Sequence, residues 1–422
     1  MKGRSLTQQT IIFLITVIIL YSVTAIVPRL ISTYFTTYFY LAVMGLCLLL
    51  LLISRGKKSI DEYVILIIPF LFWYALMYLV SKPSLTDWVY KIILDFIPIV
   101  IGLYVLKRCD HALVRVFSVV IIVAIVATMI TTYTGIQTYP DAARYLATVS
   151  NPNDSLFVKY NMANIGGYEF IYTVCLLYPV AIYAYKKRRI NAFFMFAISA
   201  SILILVIESS YTTAFLMWFV SSILLFFKRE FKAQFLILIA VVAVLIFAVF
   251  ADYISDGLRF LSTKIDNKDM SERLRDLAGG REGLAKSEDP RWEQWMRSIT
   301  DFIKYPLLGN MTSAGGGHSF ILDTLAEYGL LGATLVGIMY TIIFRKFFLP
   351  FKTAKGYGYV VWSFIQTLIL SLVNTGMWLY VLCLFMPTLF AFIDKGERKN
   401  EGSLGREFDP ERLKSGAVRQ TV

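Results

Sequence analysis

Residues 290–332 read PRWEQWMRSITDFIKYPLLGNMTSAGGGHSFILDTLAEYGLLG, a polar, aromatic-rich insert that runs straight into an apolar segment. Asp289 stands where a helix cap belongs and Pro290 at the first helical position. Trp292, Trp295, Met296, Ile299, Phe302 and Ile303 then recur on one face at helical spacing. Tryptophan at this density suits a helix resting among lipid headgroups. Pro306 and Gly309 end that helix, and Gly315, Gly316 and Gly317 stand directly before His318 and the next apolar run. Glycines let backbone N–H groups converge, and the amino end of a long helix carries partial positive charge, so the stretch has the makings of an anion site. Arg291, Arg297 and Lys304 supply counter-charges. Two plainer readings stand beside this one: a flexible glycine loop, and a His318 that merely caps the following helix, with Ser319 and Asp323 to satisfy it.

The surrounding composition says what kind of body carries this insert. Of the 422 residues 57% are hydrophobic and 17% charged, with a mean hydropathy of +0.65. A water-soluble core cannot hide that much apolar surface, so the chain belongs in a bilayer. Runs of roughly 17–25 apolar residues, enough to cross a hydrocarbon core of about 30 Å as helix, fall near 10–28, 34–54, 62–81, 88–106, 112–132, 167–185, 190–208, 212–227, 233–251, 318–344, 358–374 and 377–394. The expected fold is an all-α polytopic membrane protein of about twelve spans. The first run resembles a signal peptide in outline, but it is long and lacks a small-residue cleavage site, so it reads as a retained helix.

Orientation follows from the loops. Lys2 and Arg4, Arg55 to Lys58, Lys107 and Arg108, Lys186 to Arg189, Lys228 to Lys232, and Arg345 with Lys346 all fall on one side. An excess of positive charge marks cytoplasmic loops, which places both termini in the cytoplasm. The formal net charge of +12 is accounted for by topology and anionic lipid rather than nucleic acid. Cys47, Cys175 and Cys383 lie in spans and Cys109 in a cytoplasmic loop, so no extracellular pair awaits a disulfide.

Two outward connections are long. Residues 133–166 are rich in Asn, Pro and Asp and predict turns with a short helix. Residues 252–317, between the ninth and tenth spans, form the larger loop; 253–278 read as an amphipathic helix on the membrane surface. The membrane domain thus divides into 1–251 and 318–394 around that loop. Residues 395–422 are polar and lack apolar periodicity, predicting a disordered cytoplasmic tail.

The order Arg291, Trp295, PLLGN, GGGHS and LAEYGLLG resembles the signature of the O-antigen polymerase and ligase superfamily. The resemblance implies a helical membrane glycosyltransferase of the C-type fold on the outer face of the bacterial cytoplasmic membrane. Its donor and acceptor would be glycans on undecaprenyl pyrophosphate, with membrane lipid, a flippase and chain-length regulator proteins as partners. It also implies that neither metal nor cofactor is needed, because the pyrophosphate lipid is already a leaving group. The outward loops agree in containing no Asp-x-Asp pair, and the chain has no His-Glu-x-x-His, P-loop or Cys cluster. One departure stands out: family members carry Ser-Arg at a short outward turn that here reads ESSYTT, with Tyr211 at the arginine position. Arg144, Lys159 and Arg297 lie on the same side as candidate replacements, and Glu208 ends the span beside that turn.

Transfer requires stabilising charge on departing pyrophosphate and relieving the acceptor hydroxyl of its proton. Arg291 suits the first task, because guanidinium binds phosphate oxygens in a bidentate fork. His318 suits the second, or binds phosphate itself. The expected activity is polymerisation of lipid-linked repeat units of a capsule, exopolysaccharide or O-antigen; ligation of a finished glycan to another acceptor is the nearest alternative. A flippase is the rival from another class, but it would concentrate charge inside the spans, where Asp95 is the clearest example here.

Overall fold

The computed structural model describes residues 6–23, 41–47, 49–50, 60–81, 84–140, 142–148, 154–209, 211–226, 263, 271, 290–312, 319–352, 354 and 356–402. Among these the chain is helical, without a strand. The helices are α1 (Leu6–Val23), α2 (Ile60–Ser81), α3 (Leu85–Arg108), α4 (His111–Thr138), α5 (Ala142–Thr148), α6 (Ser155–Met162), α7 (Tyr168–Lys186), α8 (Ala192–Glu208), α9 (Thr212–Phe226), α10 (Pro290–Lys304), α11 (Phe320–Ile343), α12 (Tyr357–Val373) and α13 (Met386–Gly402). A π-helical turn, Phe344–Phe348, follows α11, and another, Tyr380–Phe385, leads into α13.

Among the described residues, four segments are long and apolar enough to cross a membrane: α1, α4, α7, and α11 with its extension to Phe351. Helix α7 is the hub, with 72% of its most apolar stretch buried inside the protein against 39% for the other three. It touches α8, α9, α12 and α13, and its Tyr172, Tyr178 and Tyr183 are almost wholly enclosed. Large apolar side chains on other helices face outward: Phe13, Phe72, Ile130 and Phe196 are all more than half exposed. In water such a girdle would be an aggregation surface; around apolar helices of this length it is a lipid-facing wall.

Three local features differ from the expectation. Helix α4 runs on to Thr138, beyond the apolar run that ends near 132, because its threonines turn their hydroxyls onto the preceding turn. Thr134 donates to the Ile130 carbonyl (3.0 Å) and Thr138 to Thr134 (3.2 Å). The following connection holds two short helices, α5 and α6, not one. Asp154 caps α6 by accepting from the N–H groups of Leu156 and Phe157 (both 2.9 Å) and takes the Tyr145 hydroxyl of α5 as well (2.9 Å). Finally, α13 continues through Gly402, past Asp394, where the disordered tail was expected to begin. The run DKGERKNE has no apolar face, so the extension follows from propagation of a helix already nucleated. None of the four cysteines is in a disulfide, and all are buried. The expected helix at 253–278 lies outside the described residues apart from Thr263 and Ser271, which are helical.

Candidate functional site

The two glycine-bearing halves of the 290–332 stretch are threaded through each other. Helix α11 is broken at Gly329 (φ 60°, ψ −154°), and the PLLGN segment lies in the break. Asn310 N–H donates to the Ala326 carbonyl (2.8 Å) and Met311 N–H to Glu327 (3.1 Å). In return Leu330 N–H donates to Pro306 (2.9 Å) and Leu331 N–H to Leu307 (3.2 Å). The chains approach so closely that a Cβ on Gly309 would sit 2.2 Å from the Glu327 carbonyl carbon, and one on Gly329 2.5 Å from that of Leu307. Only residues without side chains fit at this crossing, and both glycines have positive φ.

This crossing fixes α10 along α11. Ser298, buried, donates to Asp323 Oδ1 (2.8 Å), while Asp323 Oδ2 accepts from Ser319 N–H (3.2 Å). Ser319 Oγ accepts from Leu322 N–H (3.1 Å), so Ser319 is the cap of α11. His318 precedes that cap by one residue and lies, with Gly315, Gly316 and Gly317, outside the described residues. The covered edge of α10 is mixed, with Ser298 buried and Gln294, Trp295, Asp301 and Phe302 half-buried, whereas Met296, Ile299 and Ile303 are exposed. That arrangement suits a helix whose apolar ridge rests on lipid.

Directly beneath the start of α11 is a cavity of about 260 Å³, lined by Lys91 and Asp95 of α3, Trp73 of α2, Asp323, Glu327 and Tyr328 of α11, and the 375–379 segment ending in Trp378 and Leu379. Asp95 accepts the Tyr74 hydroxyl, and the Trp88 indole N–H holds the Tyr74 carbonyl (3.0 Å). Trp73 packs on Tyr328 with ring centroids 5.0 Å apart. The roof is tied down where Phe320 N–H donates to the Asn374 carbonyl (2.9 Å).

Trp378 holds a left-handed backbone (φ 55°), which a bulky residue adopts only under constraint from its surroundings. Its indole N–H is buried without a partner, as is Asn374 Nδ2 beside it; Gln294 Oε1 and Trp295 Nε1 of α10 are in the same condition. Buried polar atoms left unsatisfied are rare and call for a partner. Among the described residues, no group of three His, Cys, Asp or Glu side chains is gathered for a metal ion.

The remaining expected site residues fall around this end of the molecule. Arg291 lies in the first turn of α10, and Arg297 and Lys304 are exposed along it. Tyr211 is buried, its hydroxyl donating to the Ala143 carbonyl (2.8 Å), one residue before Arg144 on α5. Its ring packs on Tyr168 and Tyr172, and both of those rings pack on Trp378. An aromatic chain therefore connects Tyr211 to the cavity. Lys159 stands over the Tyr139 ring at 4.3 Å, a cation–π contact within the 133–166 connection.

Lys91, Trp73 and Trp378 are cavity residues that the sequence reading did not single out. Lys91 carries a readable signal, since Lys and Asp four apart inside an apolar run mark a charged pair on one helix face. Trp378 carries none, because its prominence comes from a backbone conformation.

The chain matches no protein-family model and no curated protein sequence.

Proposed function

We propose that the protein is a metal-independent membrane glycosyltransferase that joins undecaprenyl-pyrophosphate-linked oligosaccharide repeat units into a surface polysaccharide. The reading includes about twelve spans, the basic loops and both termini in the cytoplasm of a bacterium, and the 252–317 loop outside. The observation that carries it is the crossing of PLLGN with EYGLLG, which holds an arginine-bearing helix against the start of α11 above a polar, aromatic-walled cavity.

A cavity of about 260 Å³ lies just under the ~300–1,000 Å³ of small-ligand pockets. It is the size for one sugar of the acceptor rather than a whole oligosaccharide. Trp73, Tyr328 and Trp378 supply aromatic lining for the C–H side of a pyranose, and Asp95, Asp323 and Glu327 supply acceptors for its hydroxyls. Arg291 holds the donor pyrophosphate, with Arg297 and Lys304 adding charge. The acceptor hydroxyl oxygen attacks the donor's anomeric carbon and the bond from that carbon to the pyrophosphate oxygen breaks. His318 takes the hydroxyl proton, and the lipid pyrophosphate leaves with the bonding electrons.

The test is polymer length on a gel from cells that lack the native protein, with membrane expression checked for each variant. Arg291→Ala and His318→Ala are expected to abolish polymer, and Arg291→Lys to recover little, since an ammonium lacks the bidentate fork. A charge contact made as the leaving group develops is worth about 2–4 kcal/mol, or roughly 10²–10³ in rate. Normal chains from well-expressed His318→Ala would remove His318 from the chemistry. Transfer of a preformed glycan to another acceptor, with no chain growth, would replace polymerase with ligase.

A further inference from the structure

At the opposite end of the molecule a groove of about 950 Å³ opens between α4, α7, α8 and α13. Its volume reaches the upper limit of the ~300–1,000 Å³ of small-ligand sites. The walls are aliphatic and aromatic: Ile122, Ile125, Ala181, Ile198, Leu389 and Phe392 among them. On α4 the groove is open to the surrounding lipid, where Ile122, Val126 and Ile130 are exposed.

Charged side chains are confined to one mouth, where Arg115 and Arg189 stand with His111; the other polar groups of the lining are Tyr133, Tyr178 and Ser201. Arg115 and Arg189 are exposed; Arg189 reaches the Ile393 carbonyl by one long hydrogen bond (3.4 Å). The His111 ring lies edge-on to Phe392, and its Nδ1 is buried with no hydrogen-bond partner. No carboxylate lines the groove among the described residues. Asp110, next to His111, is committed to capping α4, accepting from Leu113 N–H (2.8 Å). The mouth therefore presents two guanidinium groups and an imidazole, with no carboxylate among the described lining residues, at the end of a largely apolar channel.

We infer that this groove is a resident site for one anionic diacyl phospholipid of the leaflet on the basic side. Its phosphate lies among Arg115, Arg189 and His111, and its acyl chains lie along Ile122, Ile125, Ala181, Ile198 and Phe392. Charge complementarity identifies the anion, because a zwitterionic headgroup would bring a third cation into a mouth that already holds two. The groove's shape identifies the chains. Leu389, Phe392 and Ile393 of α13 add a further wall beside the basic mouth, and the acyl chains of a lipid anchored there lie along that part of the groove. The site is separate from the glycosyl-transfer site: the far end of the groove offers Tyr133 and no cation, so a pyrophosphate working at the opposite membrane face finds no counter-charge here.

The experiment uses the full-length protein, delipidated in detergent and titrated with phosphatidylglycerol, phosphatidylcholine or undecaprenyl phosphate under native mass spectrometry. Wild type is expected to hold one phosphatidylglycerol, to bind phosphatidylcholine much more weakly, and to exchange phosphatidylglycerol for undecaprenyl phosphate no more readily than for itself. The double substitution Arg115→Ala, Arg189→Ala is expected to weaken phosphatidylglycerol about 30-fold, the equivalent of ~1 kcal/mol for each cation. Ala181→Phe fills the groove with the charges intact and is expected to reduce the one-lipid complex. Equal affinity for phosphatidylcholine, preferential capture of undecaprenyl phosphate, or full binding by either variant overturns the assignment. Where a variant fails to fold, the wild-type lipid preferences alone decide.

Discussion

Replacing Gly329 by alanine tests the crossing that holds the proposed site together. The backbone at Gly329 has φ 60° and ψ −154°, a region open essentially to glycine alone; occupying it with a side chain costs about 1–3 kcal/mol. The added methyl would also meet Leu307 C and O at 2.5 Å and Gly309 N at 2.6 Å. These are backbone atoms that cannot rotate aside, and overpacking of this kind costs a further ~1–3 kcal/mol. The sum is about 2–6 kcal/mol. On the other side of the balance stand the four backbone hydrogen bonds of the crossing. At ~0.5–1.5 kcal/mol net for each, they contribute about 2–6 kcal/mol. Strain thus equals everything those bonds contribute, and Gly329→Ala is expected to open the crossing and release α10 from α11. The control is Gly337→Ala on the same helix, where an added Cβ meets nothing within 4 Å. There the change from glycine favours the helix by roughly 0.5–1 kcal/mol. Purified protein is assayed by thermal unfolding and by trypsin cleavage after Lys304. Gly329→Ala should melt earlier and be cut faster, and Gly337→Ala should do neither. If Gly329→Ala melts with the control and Lys304 stays equally resistant, the crossing is not what secures α10.

Acid should loosen α6 through its cap. Hydrogen bonds from Phe157 N–H, the Tyr145 hydroxyl and Leu156 N–H hold the Asp154 carboxyl below its ordinary value of 3.8. A depressed folded-state value means the stabilisation is complete above pH 3.8 and is lost as pH falls through the lower folded value. Hydrogen exchange at Leu156 and Phe157, compared with Asp154→Asn at each pH, should show a protection difference at neutral pH that vanishes in acid; a pH-independent difference refutes the cap. Tyr211→Phe keeps the ring but removes the bond to the Ala143 carbonyl, at a cost of about 0.5–1.5 kcal/mol. Faster exchange in α5 with polymer intact is the expected outcome, whereas lost polymer with α5 unchanged would make Tyr211 a substrate contact. Cysteines introduced at Ser287 and Ser313 should react with an impermeant thiol reagent from outside the cell and one at Ser403 should not; reversed labelling would invert the proposed orientation.

The helical, apolar character of the chain was legible because a 3.6-residue repeat and long apolar runs depend only on local sequence. The start of α11 was readable to within two residues: the apolar run reads from 318 with His318 as its plain cap, whereas Ser319 holds the capping position. For α10 the period was legible but not the partner of each face. Its tryptophan-rich ridge and its polar edge were both visible, yet only the structure brings Ser298 onto Asp323. The glycines of PLLGN and EYGLLG illustrate the limit more sharply. Each looks alone like a turn or a helix blemish, and their shared purpose appears only when two backbones separated by about twenty residues are laid against each other. Asp95 was visible as an isolated charge in an apolar run, but its Tyr74 partner depends on the packing of α2 on α3. Tyr211 stood out only as a departure from the family pattern, and its bond to Ala143 lies 68 positions away in sequence.

The charges around the cavity bear on the direction of the proposed transfer. The cavity itself carries three carboxylates against Lys91, an unfavourable setting for a pyrophosphate. Arg291, Arg297 and Lys304 all belong to α10, which is attached to α11 through Ser298 and Asp323. A doubly anionic leaving group is therefore drawn to α10 and repelled from the cavity, while a neutral sugar rich in hydroxyl donors is accepted by the carboxylates. Separating the two partners by charge would stop the donor from entering the acceptor's place, the error a polymerase is most exposed to when both substrates end in the same lipid. The proposed reaction centre would then fall at the amino end of α11, between Ser319 and the arginine-bearing helix, with its geometry resting on the glycine crossing more than on any single charged group.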